Sequence, residues 1–213
     1  MRYKAILFDM DGTLLDTLTD MADAVNHILS VHGWPLRTTE EVRAFVGNGA
    51  RRLMERAVPP EVTGGDFETV LTEYRDWYQA HNCVATAPYP GIPALLAALA
   101  KAGIKTAVVS NKPDATTKTL AARFFPGLPA FGQRDDVPPK PAPDLVFRAL
   151  ETLGVDAADA IYVGDSEVDV ATARNAGLPL AAVSWGFRGR RALAEAGAAV
   201  IVDTAVELLE VVR

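Results

Sequence analysis

The chain begins with an unbroken apolar run, Ala5-Ile6-Leu7-Phe8, that stops at the polar stretch Asp9-Met10-Asp11-Gly12-Thr13. A short apolar run without alternation, closed by a turn containing glycine, predicts a strand buried on both faces of a parallel sheet. From Leu18 to Ala80 the period changes. Met21, Ala24, Val25, Ile28 and Leu29 recur at helical spacing, as do Val42, Phe45 and Val46, then Leu53, Met54 and Ala57, then Val70, Leu71, Tyr74 and Tyr78. This pattern predicts about four helices, broken at Gly33-Trp34-Pro35, at Gly47-Asn48-Gly49 and between Pro59-Pro60 and Gly64-Gly65.

After Pro88-Tyr89-Pro90-Gly91 the two periods alternate. Helices are expected over Ile92 to Ala102, Asp114 to Arg123, Asp144 to Leu153 and Val168 to Ala176. Strands are expected over Lys105 to Val109, near Ala130-Phe131, over Ala160 to Val163, over Leu180 to Val183 and near Ala199 to Val202, with a helix before and after the last. Strands alternating with helices predict a Rossmann-like, doubly wound parallel α/β sheet. The expected organisation is an α/β core of residues 1–16 and 84–213, opened after its first strand to admit a helical cap of residues 17–83. Crossings near Asp16 to Leu18 and near Cys83 to Pro88 join the two, and paired linkers of this kind can hinge a lid.

Charge and composition narrow the function. Twenty-seven acidic residues against 21 Lys and Arg give a formal charge of -6, which argues against a nucleic-acid partner because phosphate backbones select clustered basic residues. The pairs Arg51-Arg52 and Arg190-Arg191 stand isolated. Cys83 is the only cysteine, so no intramolecular disulfide forms and a reducing, cytoplasmic setting is expected. Met1-Arg2-Tyr3-Lys4 lead straight into the first strand, from which no signal peptide is expected. The apolar stretch from Ile92 is cut off at Lys101, too short for a membrane span.

Candidate chemistry collects where three strands end: Asp9 and Asp11 after Phe8, Ser110-Asn111 after Val109, and Gly164-Asp165-Ser166-Glu167-Val168-Asp169 after Val163. Parallel strands deliver these ends to one sheet edge, where α/β folds bind ligands. Asp9 and Asp11, two apart, leave an extended chain on the same side, an expensive pair unless a cation or a proton is held there. Asp9, Asp11, Asp165 and Asp169 make an all-oxygen set suited to Mg2+, with no His or Cys for zinc. Ser110 and Asn111 are neutral donors for phosphate oxygens, and Lys140, between Pro139 and Pro141, brings a fixed positive charge. An isolated Asp-x-Asp is equally at home in a turn; the joint appearance of all three ends is what points to a phosphoryl group and its cation.

In this order, Asp9-Met10-Asp11-Gly12-Thr13-Leu14, Ser110-Asn111, Lys140 and Gly164-Asp165-Ser166-x-x-Asp169 resemble the four motifs of the haloacid dehalogenase-like hydrolase superfamily. The helical insert resembles the family's alpha-helical cap. Val46-Gly47-Asn48-Gly49-Ala50, Pro88-Tyr89-Pro90-Gly91, Ser110-Asn111-Lys112-Pro113 and Lys140-Pro141-Ala142-Pro143-Asp144 are similar to the phosphoglycolate phosphatase-like branch. The resemblance implies a Mg2+-dependent phosphatase acting on a small phosphorylated metabolite of the phosphoglycolate type, as a monomer or homodimer. Asp9 would be the nucleophile, forming an aspartyl-phosphate, and Asp11 the acid and base. Mg2+ would be held by Asp9, the backbone oxygen of Asp11 and Asp165, with Asp169 supporting the metal or orienting Lys140, while Ser110, Asn111 and Lys140 would hold phosphate. For the leaving group, the expected contacts are the backbone of Gly47, Asn48 and Gly49, the guanidinium of Arg51 or Arg52, and Lys112.

Two other readings stay open at this level. A hexose phosphomutase would use the same core and return the phosphoryl group to sugar, and a binding module would keep the fold without turnover. A phosphonatase is disfavoured, since the insert from Leu18 to Ala80 contains no lysine.

Overall fold

The computed structural model describes residues 3–212; Met1 and Arg2, on which the expectation about a leader partly rests, lie outside them. The elements in chain order are β1 (Ala5–Phe8), β2 (Leu15–Asp16), α1 (Leu18–Val31), α2 (Thr39–Phe45), α3 (Gly49–Ala57), α4 (Gly64–His81), β3 (Ala87–Pro88), α5 (Ile92–Lys101) and β4 (Lys105–Pro113). They continue with α6 (Asp114–Phe124), β5 (Ala130–Gln133), α7 (Asp144–Leu153), β6 (Ala160–Gly164), α8 (Glu167–Ala176), β7 (Leu180–Val183), α9 (Gly189–Glu195), β8 (Ile201–Val202) and α10 (Ala205–Val212). Six strands form one sheet in the order β5-β4-β1-β6-β7-β8, and every pairing in it is parallel. This is the Rossmann-like α/β arrangement, with β1 at its centre.

Residue alternation along β1 explains why its run is apolar throughout. Ile6 and Phe8 enter the apolar cluster under one face of the sheet with Val108, Ile161 and Val163. Ala5 and Leu7 enter the opposite cluster with Ala107, Val109 and Tyr162. Each fully buried Ile, Leu or Phe contributes roughly 1.5–3 kcal/mol by leaving water, so a central strand covered on both sides carries no polar position. Helices α1 to α4 pack around a third cluster of their own that includes Met21, Leu29, Met54 and Leu71, and form the helical cap. Among the described residues, no helix is long and apolar enough to cross a membrane.

Two features depart from the pattern-based expectation. Strand β4 does not stop at Val109 but continues to Pro113, with a register shift against β5 between those two positions. Its polar continuation looks like a turn in sequence because Ser110, Asn111 and Lys112 have no alternation, yet all three are buried. The crossings between cap and core are also more than linkers. Leu15 pairs with Pro88 and Asp16 with Ala87 in a two-stranded antiparallel ribbon, too short to leave a period. Beside it, the buried carboxylate of Asp20 in α1 accepts the backbone N–H groups of Val84 (3.1 Å), Ala85 (2.8 Å) and Thr86 (2.9 Å).

Candidate active site

Register brings the strand ends together. Phe8 lies opposite Val108 on one side and Val163 on the other, so Asp9, Ser110 and Asp165 emerge within one or two residues of the same row. The Asp9 N–H still donates to Val163 O at 2.8 Å, which fixes the direction in which the chain leaves the sheet. Gly12 then turns with φ of 86°, and a Cβ there would lie 2.4 Å from Asp165 Oδ2. Only glycine permits both the left-handed backbone and that approach. Thr13 Oγ1 donates to Asp165 Oδ1 at 3.2 Å, and the Phe187 N–H donates to Oδ2 at 2.7 Å.

Lys140 is held at the centre. Its Nζ stands 2.9 Å from Asp9 Oδ1 and 2.8 Å from Asp169 Oδ1, with Tyr162 OH at 3.1 Å, and the residue is 4 % exposed. Asp169 is fully buried and also accepts the Ser166 backbone N–H and hydroxyl on Oδ2. The first of these, with the Asp169 N–H donating back to Ser166 Oγ at 3.4 Å, forms the capping box that starts α8, so one carboxylate both begins a helix and orients an ammonium. The N-cap is Ser166 rather than Asp165, and this frees Asp165 to face Asp9.

The expected phosphate role of the Asn111 side chain needs correcting. Asn111 Oδ1 accepts the Lys140 N–H at 2.7 Å, while Nδ2 donates to Lys140 O at 3.0 Å and to Gly47 O at 3.3 Å. Both amide protons are therefore spent on positioning the lysine loop and the cap. Ser110 Oγ accepts the Lys112 N–H at 3.2 Å and keeps its own proton to donate.

Carboxylate oxygens of Asp9, Asp165 and Asp169 lie within 4.8 Å of one another. Burial pushes the Asp9 carboxyl up to about 7, Asp169 and Asp11 adding to the rise and Lys140 opposing it. Asp165 is held well above the ordinary carboxylate range by burial and by the nearby Asp169 and Asp9. Burial pulls the Lys140 ammonium down, but Asp169 and Asp9 outweigh it and keep the group charged. One ammonium cannot balance three buried carboxylates, so protons are retained there, and an all-oxygen donor set of this kind fits a hard divalent cation.

Asp11 faces elsewhere. Its Oδ1 accepts the Thr17 hydroxyl at 2.7 Å and lies 3.2 Å from Lys112 Nζ, so its carboxylate is not part of the three-acid cluster. Lys112 in turn donates to Tyr78 OH of α4 at 2.8 Å. Above these groups a cavity of about 360 Å³ opens between core and cap, with Gly47, Leu53, Tyr74 and Phe187 among its walls.

Two expected leaving-group contacts are turned away from it. Arg51 makes a two-pronged bond to Glu68 at 2.8 Å on each arm, and Arg52 pairs with Glu55 at 2.6 Å. In each case a partner on the cap's own helices takes the polar group. Gly47 and Gly49 do line the cavity, both at positive φ. Two arginines without any local signal in the sequence also line it, Arg75 of α4 and Arg188. Arg188 lies in the segment after β7 and donates to Arg43 O at 2.9 Å, to Val46 O at 2.5 Å and to Glu167; only the folded chain brings that segment to the cap.

Comparison with known proteins shows the family. The family model described as haloacid dehalogenase-like hydrolase matches residues 6–183. N-acetylmuramic acid 6-phosphate phosphatase of Pseudomonas aeruginosa is 36 % identical over 99 % of this chain and 95 % of its own. Phosphoglycolate phosphatase of Pseudomonas savastanoi pv. phaseolicola is 35 % identical over 97 % of this chain and 78 % of its own. A crystal structure from Lactobacillus delbrueckii subsp. bulgaricus, provisionally described as a phosphoglycolate phosphatase, superposes with a TM-score of 0.94 at 37 % identity, covering 100 % of this chain and 99 % of that one.

Proposed function

The chain belongs to the haloacid dehalogenase-like hydrolases, as a phosphoric monoester hydrolase of the phosphoglycolate phosphatase type, and on that premise we propose that it hydrolyses a small phosphorylated acid through an aspartyl-phosphate on Asp9 with Mg2+ as cofactor. Both relatives' names, phosphoglycolate and N-acetylmuramic acid 6-phosphate phosphatase, specify phosphomonoesters of carboxylic acids. The observation that carries the reading is that Asp9 lines the cavity in one cluster with Asp165 and Asp169 and pairs with Lys140, while the Asp11 carboxylate, held by Thr17 and Lys112, lines the same cavity.

In this reading an Asp9 oxygen attacks phosphorus and the bond from phosphorus to the leaving oxygen breaks, which divides one difficult displacement into two easier ones. Asp11 gives its proton to the departing alcohol, then takes one from the water that cleaves the acyl phosphate. Thr17 and Lys112 fix where that carboxyl stands. The Lys140 ammonium and the Ser110 hydroxyl hold the transferring oxygens as charge moves, and Asn111 acts by fixing the Lys140 backbone. Asp9, Asp165 and the backbone oxygen of Asp11, supported by Asp169, would hold Mg2+, which supplies charge neutralisation between an anionic nucleophile and an anionic ester. The cap walls exclude water from the reacting centre. We place this activity in the cytoplasm, in a monomer or homodimer.

The test is phosphate release from 2-phosphoglycolate and p-nitrophenyl phosphate with Mg2+ and with EDTA. Release that depends on Mg2+, disappears in Asp9→Asn and leaves a phosphoryl group on Asp9 in acid-quenched enzyme supports the proposal. Turnover that survives Asp9→Asn overturns it.

A further inference from the structure

Four cationic side chains line the cavity: Lys112, Lys140, Arg75 and Arg188. Three are already committed. Lys140 is held by Asp9 and Asp169, Lys112 by Asp11 and Tyr78, and Arg188 by Glu167 and two backbone carbonyls of the cap. Arg75 differs from them. Among the described residues it makes neither a hydrogen bond nor an ion pair, and it acts on Glu68 only through space, while Glu68 is itself chelated by Arg51.

Helix geometry places Arg75 at the mouth. Tyr74 and Tyr78, one turn apart on α4, are buried and stack at 5.8 Å against the interior. Arg75 and Gln79, each one residue further on, occupy the neighbouring stripe, where they are exposed and still line the cavity. Gln79 Oε1 accepts the Thr116 hydroxyl of α6 at 2.5 Å, which closes one side of the opening and leaves the guanidinium as the charged donor beside it. Asp76 shares this mouth, so an anion held loosely there is repelled and only one docked on the arginine side is retained.

Cavity size agrees with a ligand that reaches this far. Sites of roughly 300–1,000 Å³ enclose ligands much larger than a two-carbon acid, and a volume of about 360 Å³ falls within that range. A phosphoryl group beside Asp9 and a second anion at Arg75 then belong to opposite ends of one extended molecule.

Resting on the phosphatase reading above, we propose that Arg75 is a specificity-determining residue which docks a second anionic group, a carboxylate, at the far end of a phosphomonoester of sugar-acid size. A charge-assisted, forked contact of this kind discriminates against a neutral analogue of equal length, because the uncharged end offers the guanidinium no comparable partner.

The experiment compares 6-phosphogluconate with sorbitol 6-phosphate, which differ only in the terminal carboxylate, using p-nitrophenyl phosphate to monitor turnover. The native protein is expected to favour 6-phosphogluconate in kcat/KM by roughly fivefold, the preference lying in KM, as an ion pair at an open mouth allows. Arg75→Gln should bring the ratio to about one, and Arg191→Gln, which loses only the exposed Glu195 pair of α9, should leave it as in the native protein. A native ratio near one, or a preference that survives Arg75→Gln, overturns the inference. Hydrolysis of p-nitrophenyl phosphate with refusal of both six-carbon esters overturns it too, while the phosphatase reading stands; silence on all three esters overturns that reading itself.

Discussion

Lys112 of the sheet and Tyr78 of the cap are joined by a 2.8 Å hydrogen bond, and the same ammonium lies 3.2 Å from Asp11. A core strand, a cap helix and the residue proposed as acid and base thus meet at one buried nitrogen. Tyr78→Phe removes the hydroxyl without altering the stacked ring. A hydrogen bond to a charged group contributes about 1.5–3 kcal/mol, so urea unfolding should show a loss of that order, and steady-state kinetics a fall in kcat/KM as the cap loses its tie to Asp11. An unchanged kcat/KM would show that the bond only holds the structure together.

The raised Asp9 pKa gives a signed pH prediction. Unfolded, the carboxyl titrates near 3.8; folded, it titrates near 7, so the folded state binds the extra proton between those values. Stability from this group is fully present below about pH 4 and is lost as the pH rises through about 7. A divalent cation binds the deprotonated form and competes with that proton. The rise in Tm on replacing EDTA with Mg2+ should therefore be larger near pH 8 than near pH 5.5. An equal rise at both would contradict the assignment.

Removing Lys140 should cost far more than removing a surface lysine. In Lys140→Gln the buried Asp9 and Asp169 lose their common counter-charge, and breaking a buried pair in this way costs about 3–5 kcal/mol. Denaturant titration in EDTA should show a loss of that size, and added Mg2+ should recover part of it. A loss under about 1 kcal/mol, ordinary for an exposed pair, would count against the arrangement.

Asp20 carries a prediction unrelated to catalysis. Asp20→Ala strips the acceptor from three backbone N–H groups at the core end of the cap crossing. Leaving buried donors unpaired costs about 1–3 kcal/mol each, and Thr86 is buried while Val84 reaches water. Stability should fall by about 2 kcal/mol or more, and amide exchange at Ala85 and Thr86 should accelerate. Protection that stays unchanged at both amides would show that other contacts hold the crossing.

Much of this architecture is legible in the order of residues. Unbroken apolar runs before Asp9, Ser110 and Asp165 mark central strands because burial on both faces leaves no room for polar alternation, and parallel topology then requires their ends to meet. What was hidden depends on long-range packing. Ser110, Asn111 and Lys112 read as a turn, yet they continue β4, because Ser110 Oγ accepts the Lys112 N–H and the side chains of Asn111 and Lys112 find partners in Lys140, Asp11 and Tyr78 rather than in water. Arg51 reads as a ligand for a carboxylate, but the docking of α3 against α4 supplies Glu68 first. Arg75 and Arg188 carry no local signal at all, since only the folded cap and the segment after β7 bring them to the cavity.

The ribbon of Leu15–Asp16 with Ala87–Pro88 yokes the two crossings into a single strap. Two independent tethers would let the four helices twist, slide and tip; a strap bends easily about one line and resists the rest. A cap turning on that line would move like a door on its frame, carrying Tyr78, Arg75 and the Gly47 loop as one leaf.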